Sequence, residues 1–172
     1  MKIKFAMLFI ALFTSCFSYA QNFKGHVSGT LGIINTKVRV QYELPLKDRA
    51  SFGINMNYYL QNWKGPVFEP FIRIYRKKEG NTEGVFAQAK MIYGNLLGNY
   101  NSSAGDLEDI RSPIYGFGLN AGYKFLFGKH FTVEPLLGLR LLSAPSNLGD
   151  ETDWYLSTGF PLDFQLKFGF QF

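Results

Sequence analysis

Large apolar residues recur at every second position through most of this chain. In 37–44, Val38, Val40, Tyr42 and Leu44 alternate with Lys37, Arg39, Gln41 and Glu43. In 50–60, Phe52, Ile54, Met56, Tyr58 and Leu60 stand opposite Ser51, Gly53, Asn55 and Asn57. A period of two marks β-strands with unlike faces. Eight segments carry it, at roughly 23–33, 37–44, 50–60, 67–76, 85–94, 114–127, 131–142 and 158–172. No convincing 3.6-residue amphipathic stretch competes with them.

The connections predict a topology. PLKDR (45–49), KKEGNTE (77–83) and GKH (128–130) are short or compact and polar. LQNWKGP (60–66), the stretch 98–112 and the stretch 143–157 are mostly longer and rich in turn formers. The first connection, 33–36, is tight. Alternation of short and long is the habit of bacterial outer-membrane barrels, whose periplasmic turns are short and whose extracellular loops are longer. The expectation is an all-β fold, an eight-stranded antiparallel up-and-down transmembrane β-barrel over 21–172. Pro70 and Pro135 sit in an echo, FEPFIRI and VEPLLGLR. Each is expected near a strand start or at a bulge, because proline cannot donate to the ladder.

Composition agrees. Aromatics reach 17%, 18 residues are Phe, and charged residues make up only 18% against a usual value of about 25%. Mean hydropathy is −0.05, and no second apolar run approaches the ~20 residues of a membrane helix. The formal charge of +5 is spread along the chain, so no nucleic-acid footprint is expected. Residues 1–20 have Lys2 and Lys4, an apolar run from Phe5 to Phe13, then small residues up to Ala20. That is a secretory signal peptide, with cleavage expected after Ala20. Cys16, the single cysteine, lies within it, in a context loosely like a lipobox, where lipidation instead of removal is the alternative. The mature chain then has no disulfide.

Alternation alone does not say which face meets water. The export signal, the aromatic weight of the apolar faces and the sparse Gly-rich opposite faces favour apolar outward, towards outer-membrane lipid. The chain ends FQLKFGFQF. With Phe164, Leu166, Phe168, Phe170 and Phe172 on one face, this end resembles the C-terminal signal read by the outer-membrane barrel-assembly machinery. VRVQYELPLKDRASFGINMNYY, FEPFIRIYRKKEGNTEGVFAQA and GFGLNAGYKFLFGKHFTVEPLLGLRL together resemble the small eight-stranded outer-membrane barrels. More closely, they are similar to an uncharacterised barrel family of Bacteroidetes. That resemblance implies a fold and a bacterial outer-membrane location, and no agreed activity.

Eight strands leave an interior only wide enough for side chains. The polar faces would place Lys24, Lys37, Arg39, Glu43, Glu69, Arg73, Lys90, Lys124, Glu134, Arg140, Asp163 and Lys167 there. Charges in a closed space must be paired. A cross-lumen salt-bridge network of Arg39, Glu43, Glu69, Arg73, Lys90, Lys124, Glu134, Arg140, Asp163 and Lys167 is therefore expected to plug the barrel. Trp63 and Trp154 flank the outer loops as expected interfacial anchors. The loops 98–112 and 143–157 are the expected partner or ligand contacts, and their acids (Asp106, Glu108, Asp109, Asp150, Glu151, Asp153) could bridge divalent ions. Gly116, Gly118 and Gly122 are expected to make room in the lumen, since no helix follows them to form a phosphate loop.

Two alternatives belong to other function classes. Lipid A deacylases, small-barrel enzymes, use Ser, His and Glu; KHFTVEP offers His130, Thr132 and Glu134 without the His-x-Ser of that class. The expectation is no catalysis, with His130 a turn residue and His26 a packed lumen residue. The second alternative is a soluble, lipocalin-like periplasmic lipid carrier, with apolar faces inward. No cofactor or metal set is apparent.

Overall fold

A computed structural model describes residues 25–32, 37–47, 49–60, 63–76, 83–101, 107–143 and 162–172. The expected signal peptide, Cys16, Lys24 and Trp154 lie outside these residues, as do the side chains of Trp63, Glu108 and Asp109.

The strands are β1 (His26–Gly32), β2 (Lys37–Lys47), β3 (Ala50–Tyr59), β4 (Trp63–Tyr75), β5 (Gly84–Asn101), β6 (Leu107–Phe127), β7 (Phe131–Ser143) and β8 (Leu162–Gln171). Each pairs antiparallel with its sequence neighbours, and β8 returns to β1 to close the barrel. Gly25 and Phe172 mark one rim, here called the terminal rim, where the Phe172 amide donates to the Gly25 carbonyl at 3.0 Å. The β2–β3, β4–β5 and β6–β7 connections lie at that rim. The last is the turn Gly128–His130, in which Gly128 has φ +65°, a conformation that glycine adopts without a Cβ penalty.

Two expectations are corrected. Most of 98–112 is strand rather than loop, since β5 and β6 stay paired from Gly98↔Ile110 to Asn101↔Leu107. The connection is only 102–106. Likewise β4 starts at Trp63, four residues before the expected boundary, so Pro70 lies inside a strand. The ladders show how both prolines are accommodated. β4–β5 pairing skips from Phe68↔Tyr93 to Phe71↔Lys90, and β6–β7 pairing skips from Gly122↔Leu136 to Phe125↔Val133. Pro70 and Pro135 fall in the gaps, because they have no N–H to give. Their other neighbours still pair, at Ile54↔Pro70 and Pro135↔Leu166.

Alternation sorts the side chains cleanly. Phe117, Leu119, Leu139, Phe164 and Phe168 are all more than half exposed. Arg39, Glu43, Glu69, Arg73, Lys124 and Lys167 are buried in the lumen. The barrel is thus turned inside out relative to a water-soluble domain, where large apolar residues go in and charges stay out.

Candidate functional site

The lumen is the only place where the described residues gather chemistry. It falls into three storeys, read upward from the terminal rim. Because β2 descends while β3 ascends, Glu43 and Ser51 share the lowest storey, and Lys37 and Tyr59 the highest.

In the lowest storey two carboxylates meet two cations. Arg73 on β4 lies 2.8 Å from Glu43 on β2 and 3.0 Å from Glu134 on β7. Lys124 on β6 lies 3.2 Å and 3.4 Å from the same two. Ser51 and Tyr75 donate to Glu43 Oε1 at 2.5 and 2.7 Å. The Arg73 guanidinium also lies over two rings, 4.2 Å from the Phe86 centroid and 4.9 Å from that of Phe71. His26 sits beneath, its Nε2 2.6 Å from Thr132 Oγ1 and its Nδ1 3.4–3.5 Å from Glu43 and Glu134.

This group has the order hydroxyl, imidazole, carboxylate that nucleophilic hydrolases use. Thr132 and His26 are each only 2% exposed, however, so neither presents a surface to an acyl chain. The ligand atoms of His26, Glu43 and Glu134 lie within 4.8 Å of one another, a span that could hold a metal ion. Arg73 and Lys124 already neutralise both carboxylates there. His130 takes no part. It is exposed at the rim, stacked 5.0 Å from the Phe170 ring, with Nδ1 2.9 Å from the Gln171 carbonyl oxygen. The set His130, Thr132 and Glu134 is therefore not assembled, since Thr132 and Glu134 face the lumen.

The middle storey pairs two cations with two more carboxylates. Lys90 on β5 lies 2.9 Å from Glu69 and 2.6 Å from Asp163. Arg39 lies 3.2 Å from Glu69 and also donates to Asn57. Asn55 and Asn120 donate to Glu69 and Asp163 at 3.2 and 3.0 Å. Lys167 stands among them but donates to amide oxygens, those of Gln41 and Asn55, rather than to a carboxylate.

In the top storey Lys37 and Arg140 both donate to the Tyr59 hydroxyl oxygen, at 3.4 and 3.3 Å. Beside them Tyr59, Val67, Ile92, Leu96, Ile114 and Leu142 form an apolar cluster. Of the ten network residues expected from sequence, eight form ion pairs. Among the described residues, Arg140 and Lys167 have no carboxylate within ion-pair distance. All three expected glycines make room, Gly116 because a Cβ there would come within 2.8 Å of the buried Leu142 side chain. A Cβ on Gly118 would come within 2.8 Å of the Lys90 stem, and one on Gly122 within 2.7 Å of the Phe86 ring.

The apolar lumen residues were missed by sequence reading. Phe71 and Phe86 sit on faces otherwise polar, and only the strict parity of their strands could have placed them inside.

The chain is therefore an eight-stranded, closed, antiparallel β-barrel with a charged and side-chain-filled interior. It is similar in fold to the N-terminal β-barrel domain of Pseudomonas aeruginosa OprF, known from its crystal structure, with a TM-score of 0.62 and 14% identity over 87% of this chain and 96% of that one. No protein-family model matches the chain, and no curated protein matches it.

Proposed function

We propose that this protein is a small bacterial outer-membrane barrel, closed to bulk flow by its own side chains, with a structural or contact role. One observation carries the reading: an outward belt of Phe, Leu, Ile, Val and Met surrounds buried ion pairs. In water such a belt would cost roughly 25 cal/mol per Å² of apolar surface left exposed. In a bilayer it costs nothing, and the belt matches the lipid face of outer-membrane barrels. The likeness to the OprF barrel domain supports the fold on which this rests. A soluble lipid carrier fits poorly, since its cavity would be apolar and its coat charged.

In this reading residues 1–20 are an export signal, and the face of β8 ending at Phe172 is the tag for barrel assembly. The terminal rim then faces the periplasm. Trp63 and Trp154 would anchor the opposite interface, and the β5–β6 hairpin and the 143–157 connection would face outward for partners. Kinship with the Bacteroidetes barrels rests on the three stretches quoted above. A lipid-modifying enzyme is disfavoured by the placement of His130 away from Thr132 and Glu134.

Cell fractionation tests the location. The protein should stay with outer membranes through a carbonate wash, migrate anomalously in gels unless boiled, and be clipped by external protease at 143–157. Release by the wash alone would sink the proposal.

A further inference from the structure

Among the described residues the lumen charges do not balance, and two of the three excess cations share the top storey. Arg39, Arg73, Lys90 and Lys124 are matched by Glu43, Glu69, Glu134 and Asp163. Three further cations, Lys37, Arg140 and Lys167, are buried with no carboxylate in ion-pair range among the described residues. Lys167 is solvated by the Gln41 and Asn55 side-chain oxygens. Lys37 and Arg140 are not so served. They share one neutral oxygen, at distances longer than the best range for such bonds.

A second feature points to the same place. Arg140 is 2% exposed, yet its Nε has no hydrogen-bond partner. Arg39, two residues below Lys37 on the same face of β2, leaves Nη1 unpartnered too. Buried polar atoms are seldom left this way. Unused N–H groups of two guanidiniums and an ammonium, with a hydroxyl O–H, all in one storey or just below it, suit a group with several acceptor oxygens and negative charge. Lys37 is, at 8%, the most exposed of the lumen cations, so the approach is from the rim opposite the termini.

We propose that Lys37, Arg140 and Tyr59, with the free edge of Arg39, form a binding site for a small oxyanion of the phosphate class. The ion neutralises the excess charge and completes the upper plug. A phosphate could come from solution or from a lipid headgroup at the outer rim. The site depends on the barrel's own geometry and not on its membrane role.

The test is thermal unfolding of the purified protein in detergent, at constant ionic strength, titrated with sodium phosphate against chloride. A parallel titration uses dihexanoyl phosphatidic acid, a soluble lipid phosphate. A ligand that binds only the folded state raises the unfolding temperature in a saturable way. Saturation by inorganic phosphate assigns a solute site; saturation by the lipid phosphate alone assigns a headgroup site. In either case Arg140→Gln and Lys37→Gln should weaken the apparent affinity at least tenfold, while Lys129→Gln, exposed at the terminal rim, should not. If Arg140→Gln does not fold, Lys37→Gln carries the comparison. No saturable response in the wild-type protein to either phosphate, or a response unchanged in the folded variants, overturns the site.

Discussion

At the scale of residues, the lumen is a set of mutual dependences. Glu43 shows this most clearly: it faces Arg73 and Lys124 and accepts from Ser51 and Tyr75. Removing one partner of a buried pair leaves the other charge uncompensated, which typically costs about 3–5 kcal/mol. Glu43→Gln should therefore lower unfolding stability by about that much in urea titrations of refolded protein, since Gln keeps the volume and loses the charge. Thr30→Val should cost only about 1 kcal/mol, the net value of one hydrogen bond, because it removes the 2.6 Å bond to the Leu166 carbonyl and little else. Which charged residues enter the lumen was legible from parity, as Arg39, Glu43 and Arg73 show. Which cation meets which carboxylate was not. Arg73 reaches across from β4 to Glu134 on β7, and such contacts depend on barrel closure and stagger rather than on any local pattern. Phe71, Phe86 and Leu136 were hidden for a related reason. A residue type predicts the solvent it prefers, and a narrow lumen accepts apolar rings wherever they cover a guanidinium.

At the scale of elements, β5 and β6 differ from the rest. A barrel strand needs about 9–11 residues to cross a bilayer, whereas β6 has 21. β4 pairs with β5 only as far as Gly98, and β7 pairs with β6 only as far as Tyr115. Among the described residues, 99–101 and 107–109 thus pair only with one another. Replacing 99–109 with Asn-Gly, a favoured two-residue turn, should leave barrel folding intact, read as unchanged heat-modifiable migration. Loss of folding would show that the hairpin supports the wall. The hairpin was read as loop in sequence because Asn, Ser, Gly and Asp crowd it; pairing of partner strands outweighed those turn preferences. The closing seam is the opposite case. β1 pairs with β8 over only four residues, from His26↔Gln171 to Gly29↔Phe168, and the Phe172 amide bond lies just beyond. Deleting Phe172 should therefore impair assembly before any other property, measured as the fraction of protein reaching the heat-modifiable form in cells. Normal assembly of that truncation would count against the proposed signal.

At the scale of the molecule, the proposed plug rests on buried side chains in three storeys. Ion pairs occupy the lower two, and an apolar cluster with two cations lines the third. Reconstituted protein should show no large, steady conductance in planar bilayers; conductance of porin size would mean that the lumen opens. The fold itself was legible from alternation, from short and long connections, and from the aromatic ending, because strands of a barrel must each satisfy period two. The direction of the faces was harder, since the same alternation serves a barrel in water. The central claim is that the outward apolar belt meets hydrocarbon. Spin labels placed singly at Phe117, Leu139 and Phe164, in protein reconstituted into vesicles, test it most directly by collision with oxygen and with a water-soluble nickel chelate. Strong oxygen and weak nickel relaxation at all three positions is the predicted result. Ready access of the nickel chelate to all three would place the belt in water and contradict the account.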